Sequence, residues 1–178
     1  MNDNEIYKII IPYIRSGLAT FNIEANVQQS YQPQQQGVPT KSTVFLSKIA
    51  AKRYGFLGRF DMYDEDNSKE IHTETQQMET IFQANCLAIQ DPLNKSQLTA
   101  SDILNYVAAI LQSSAAIAYF EGLGMGIYRV TDIRNPHFSD DKGRFEASPS
   151  FDFTISHKFT VTTEIPVIES RELDIFQI

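Results

Sequence analysis

Cysteine is nearly absent: the 178 residues hold one, Cys86. No internal disulfide can form, which suits a chain made in a reducing compartment. No stretch approaches the roughly 18 consecutive apolar residues of a bilayer-crossing helix, so no membrane partner is expected. Basic side chains are in deficit, 15 against 22 acidic ones, for a formal net charge of −7. Sequence-independent nucleic-acid binding draws its affinity from Lys and Arg on phosphates. Tight binding of that kind is therefore not expected, although a surface that DNA slides past is compatible with this balance. The opening Met1-Asn2-Asp3-Asn4-Glu5 is acidic where an export signal is basic, and Pro12 stops the apolar run Ile9-Ile10-Ile11, so no export signal is expected.

The chemistry of catalysis is also missing. His72, His137 and His157 are scattered, none has a second ligand at metal spacing, and Cys86 has no neighbour to complete a zinc site. His157 falls on an apolar strand face, where a satisfied core or interface histidine is expected. Cys86 sits mid-strand among small residues and reads as a buried small hydrophobe. Gly122-Leu123-Gly124-Met125-Gly126 follows a helix and precedes a strand, the reverse of a dinucleotide-binding loop, so it reads as a helix stop and tight turn. The charged run Asp140 to Glu146 reads as a solvated loop, because adjacent carboxylates in a turn diverge. No nucleophile elbow, Walker loop or kinase signature occurs. The expectation is a protein that is not an enzyme, with no cofactor and no metal.

What is there is ordinary globular composition, 42% hydrophobic and 21% charged, in a chain of single-domain size, so one domain over 1–178 is expected. Ile6, Ile9, Ile10, Tyr13 and Ile14 recur at helical spacing after the caps Asn2 and Asp3, predicting a helix over 4–16 that Gly17 stops and Pro12 kinks or shortens. Residues 28–42, rich in Gln with Pro33 and Pro39, read as a polar loop long enough to reach a neighbouring subunit. Val44 to Ile49 and Arg53 to Met62 read as two strands, the second with Gly55 and Gly58 as kinks or bulges, and Asp61 to Lys69 as a charged turn of a hairpin. Residues 71–89 favour extended structure. Thr99-Ala100-Ser101-Asp102 resembles a capping box, and Ile103, Val107, Ile110 and Leu111 follow at core-facing spacing. A second short helix follows Ser113 or Ser114 and closes at Gly122. Gly126 to Ile133 reads as a strand. The fold class is α+β, a mixed or antiparallel sheet with long C-terminal strands, flanked by an N-terminal helix and a central helical pair.

The clearest pattern comes last. Phe151, Phe153, Ile155, His157, Phe159, Val161, Thr163 and Ile165 alternate with polar residues, the period-two signature of a strand with one wet side. At about 3.3 Å per residue such a strand is about 50 Å long. A compact domain of this size is only about 40 Å across. The strand must bend or project, and a projecting strand edge recruits other chains unless it is covered.

From Ser113 onward the order of features resembles the neck or tail-terminator proteins of tailed phages and prophages. The residues that carry the resemblance are Ala118-Tyr119-Phe120, Gly126-Ile127-Tyr128-Arg129-Val130, Asp132-Ile133-Arg134-Asn135 and the stretch Asp141 to Asp152, with Ile6 to Arg15 and Arg53-Tyr54-Gly55 similar to the family's opening helix and early strands. The resemblance implies a homo-hexameric ring on the tail tube that stops tube and sheath growth and docks head-completion or connector proteins. Such a protein resides in the virion after assembly in the host cytoplasm. If the ring encloses the channel, a negative lumen lets genomic DNA pass without specific binding. The two polar loops supply the expected assembly residues: Gln34, Gln35 and Pro39 in one, Phe138, Asp141, Arg144 and Phe145 in the other. The alternatives are a head-completion adaptor and, from a different class, a small ligand-binding module, which requires a deep pocket of convergent polar groups.

Overall fold

A computed structural model describes residues 1–30, 40–88, 94, 96–139 and 145–166. Helix α1, Asp3–Thr20, starts from a reciprocal cap: the Asn2 side chain accepts from the Glu5 amide at 3.0 Å and the Glu5 carboxylate accepts from the Asn2 amide at 2.7 Å. Its buried face is Ile6, Tyr7, Ile10, Ile14 and Leu18, the spacing that makes one stripe per helix. Pro12 neither stops nor shortens it. Pro12 and Lys8 are both exposed, so the Lys8 carbonyl that loses its partner lies on the solvent side, where water can serve it. Gly17 does not end the helix either. A Cβ there would lie 2.7 Å from Ile110, so this glycine permits the close approach of α1 and α2.

Helix α2, Ala100–Gln112, carries the expected capping box, with the Asp102 amide donating to Thr99 Oγ1 at 3.1 Å and the Thr99 amide to Asp102 at 2.9 Å. Ile103, Leu104, Val107, Ile110 and Leu111 are buried. Ser113 ends α2 and caps α3, Ser114–Gly122, by accepting from the Ala116 amide. Gly124, at φ +70°, turns the chain out of α3, as the glycine spacing predicts. No single described helix is long and apolar enough to cross a membrane; α2 and α3 together pass on length and composition but meet at 56° and bury their apolar faces in this core.

The helices cover one face of a mixed five-stranded sheet of order β1-β2-β3-β7-β4. Its strands are β1 (Asn26–Gln29), β2 (Thr43–Asp64), β3 (Lys69–Leu87), β4 (Gly126–Tyr128) and β7 (Ser150–Pro166); β5 (His137–Ser139) and β6 (Phe145–Ala147) form a separate antiparallel pair. Only β1 and β2 are parallel. Cross-strand rows Leu46–Ala84–Phe151 and Lys48–Phe82–Phe153 set the register, and their apolar members are buried under α1 and α2. Phe82 stacks on Phe153 at 5.6 Å and meets Tyr7 edge-on at 5.3 Å. Each fully buried phenylalanine of this core contributes roughly 1.5–3 kcal/mol.

Three expectations are corrected. Residues 43–64 are one strand, not two, and the turn is confined to 65–68. The polar loop begins later than residue 28, because Asn26–Gln29 pair with Thr43–Leu46 and bury Val27. Strand β4 stops at Tyr128 rather than running to Ile133, because Arg129 takes a left-handed conformation, φ 52°, that a strand cannot continue.

Candidate functional site, a projecting three-stranded arm

The long strands outrun the helices. Among the described residues β2 has no partner on its outer side after Leu46, and after Ser156 β7 has lost β4, so from there β2, β3 and β7 run on as a three-stranded arm. Among the described residues the strand edges of β2 from Lys48 to Asp64 and of β7 from Phe159 to Ile165 pair with nothing; the Lys158 carbonyl accepts from the Met1 ammonium at 2.7 Å. Apolar side chains go with the arm uncovered: Ile49, Tyr54, Phe56, Phe60, Met62 and Tyr63 on β2, Phe159, Val161 and Ile165 on β7. Phe56 is fully exposed, at 101%. The strands thus run on past the helices that cover the core, as the length argument from the sequence allowed.

Two irregularities shape the β2 edge. The register slips between Lys48 and Ala50, where Ile49 is the extra residue, and again between Tyr54 and Gly58, where three residues face the single Gln76. Gly55 supplies the positive φ, 71°, that the second bulge needs. Gln76, largely buried, holds it closed: its amide nitrogen donates to the Tyr54 carbonyl at 2.7 Å and also reaches the Gly55 and Gln77 carbonyls. Phe56 is therefore a knob on an anchored loop.

The arm's two faces differ. On the face continuous with the core, Arg59, Asp61, Glu74 and His72 interlock: Arg59 meets Glu74 at 3.2 Å, and His72 lies between Asp61, through Nδ1, and Glu74, 3.5 Å from Nε2. The Asp61 hydrogen bond, with Glu74 helping, holds the His72 imidazole above its ordinary value. The opposite face carries a threonine ladder, Thr75 to Thr160 at 3.4 Å, and a Lys69–Glu164 pair at 2.7 Å near the tip. These exposed pairs contribute little stability each.

At the arm's root the surroundings change. His157 is 3% exposed, its Nε2 is 3.0 Å from Thr80 Oγ1, and among the described residues its Nδ1 has no side-chain partner. Burial pushes this imidazole below its ordinary value, favouring its neutral form. It lines a notch of about 250 Å³ with Met1, Lys48, Ala51, Met78 and Phe159. Lys48 pairs with Asp3 at 2.7 Å, fastening α1 to the root. Across the sheet burial, with Glu79 adding to it, pushes the Tyr128 hydroxyl up to about 12; Arg129 lies 5.1 Å over the same ring and 3.6 Å from Glu79.

Most of the residues expected for assembly lie where the structure gives no description. Gln34, Gln35, Pro39, Asp141 and Arg144 lie outside the described residues. Phe138 sits on β5 and Phe145 on β6, where Phe138 pairs with Glu146 and Ser139 with Phe145. The bulge expected as one reading of Gly55 and Gly58 is present, between Tyr54 and Gly58, and the open β2 edge that carries it was not among the expected assembly residues. Cys86 is 1% exposed, and burial pushes its thiol up to about 12, which makes it a poor nucleophile. Among the described residues no three His, Cys, Asp or Glu side chains gather as a metal site would require.

No curated protein matches the sequence. Among solved structures the chain is similar to the sheath/tube terminator of an extracellular contractile injection system, PVC, in its extended state, with a TM-score of 0.52 and 8% identity; the match covers 100% of this chain and 64% of that one. That likeness shows a shared α+β fold. The chain therefore spans about two thirds of the length of the terminator chain. The family described as E217 gateway protein gp29 matches residues 5–167, nearly the whole described body and arm. The chain belongs to the E217 gateway protein gp29 family, a family of phage neck proteins.

Proposed function

We propose that this protein is a structural part of the phage neck that ends the tail tube and sheath as a ring of identical copies, commonly six, and offers its outer face to head-completion or connector proteins. The observation that carries the reading is the arm: two open strand edges and uncovered apolar side chains that a lone chain leaves unsatisfied. Family membership supports the place in the virion, and the fold shared with a sheath/tube terminator supports the role at the tail's end. The role is structural rather than enzymatic. The net charge of −7 supports a channel through which DNA moves without adhering.

Electron microscopy of particles made without this protein tests the reading. Overlong or unjoined tails are expected. Normal-length tails beside DNA-leaking heads would instead assign it to head completion and overturn the terminator role.

A further inference from the structure

We infer that the arm is an element shared between copies: the open edge of β2 in one copy pairs with the open edge of β7 in the next, joining the arms side by side into one continuous sheet. This rests on the ring reading above and names its contact surface. Both β2 and β7 are antiparallel to β3, so they run in the same direction on opposite sides of the arm. A copy placed alongside therefore sets its β2 parallel to the first copy's β7, a permitted ladder with slanted bonds.

Closure decides who the occupant is. Pairing like edges, β2 on β2 or β7 on β7, makes a two-fold dimer and leaves the other two edges bare. A foreign strand covers one edge and leaves the second. Unlike pairing engages the β2 edge and the β7 edge of every copy, each presenting both N–H and C=O groups, and rotation of identical copies closes the cycle with the outer runs of both covered. The outer runs, Gly58–Asp64 on β2 and Phe159–Ile165 on β7, stand at the same height along β3. Both carry uncovered apolar side chains, on different faces: Phe60 and Met62 of β2 lie on the threonine-ladder face, and Tyr63 of β2 with Phe159, Val161 and Ile165 of β7 on the face continuous with the core.

The bulge supplies the register. Gln76, opposite the bulge on β2, pairs with Phe159 across β7, so the Phe56 knob stands at the height of the notch lined by Met78, His157 and Phe159. In a side-by-side arrangement the knob of one copy meets the notch of the next. That stops the parallel strands from sliding, which a plain edge cannot do.

Cross-linking of the full chain through cysteines tests this. M62C and T162C lie on the same face of opposite edges, and the buried Cys86 leaves the parent silent. With a short bis-maleimide, a mixture of the two single variants is expected to give a covalent dimer. Neither variant alone gives one, and the double variant gives a ladder ending in a closed ring. Self-linking of either single variant overturns unlike pairing. A ring seen by native mass that never cross-links refutes this edge contact while leaving the ring intact, and a monomer that never cross-links overturns both.

Discussion

The same three strands make two different structures along their length. In the rows from Leu46 to Thr80, β2, β3 and β7 are roofed by α1 and α2, and Phe82, Phe151, Phe153 and Ile155 are fully buried. Past His157 the strands keep their ladder but lose the roof, and equally apolar residues such as Phe159 and Val161 stand in solvent. The two histidines on neighbouring strands register the change: burial depresses His157 at the root, and Asp61 raises His72 farther out. Alternation alone builds a strand; what lies across its face decides whether that strand stabilises the subunit or is left for another chain.

The contrast can be broken most sharply by truncating a ring on each side of the boundary. Phe153→Ala opens a cavity in the base and should cost about 3–5 kcal/mol in chemical denaturation. Phe60→Ala on the arm should change the stability of the isolated chain by under about 0.5 kcal/mol while weakening self-association measured by native mass. An effect smaller than that of Phe153→Ala is expected at Gly17→Ala, where the new Cβ presses on Ile110; separating α1 from α2 should cost about 1–3 kcal/mol, read as a lowered Tm. Removing the bulge's anchor with Gln76→Ala should cost about 1 kcal/mol, with hydrogen-exchange protection falling at residues 54–58 and unchanged in the base.

The smallest effect is electrostatic. The His72 pKa is raised above its ordinary 6.5, so the stabilisation from the charged imidazolium is complete below that value and fades as pH rises through the folded pKa. The depressed His157 works oppositely: stability is lost as pH falls through 6.5, because the unfolded chain takes the proton more readily. NMR titration should place the two imidazoles on opposite sides of 6.5, and Asp61→Asn should lower the His72 value alone.

Local signals were legible in the sequence. The Thr99–Asp102 box and the stripe Ile103, Val107, Ile110, Leu111 need only their own neighbours, and the structure forms that helix as read. The alternation from Phe151 to Ile165 is equally local, and its length alone implied bending or projection. Long-range features were not readable. The extra residue at Ile49 switches which side chains of β2 face the core, so Leu46 and Ala51 share a face that simple alternation separates, and one strand reads as two. Strand β1 buries Val27 only through a parallel partner seventeen positions away, Val44, and has no pattern of its own. Gly17 reads as a helix stop because its actual constraint, Ile110, belongs to another helix. The arm's exposure was inferable, but its β2 edge was hidden behind the same two bulges.

The native mass of the purified full-length protein, followed across concentration, bears most directly on the idea that copies of this chain complete one another's arms. The account predicts a single discrete ring that accumulates as concentration rises. A protein that stays monomeric throughout, with its arm amides protected from hydrogen exchange in that monomer, contradicts it.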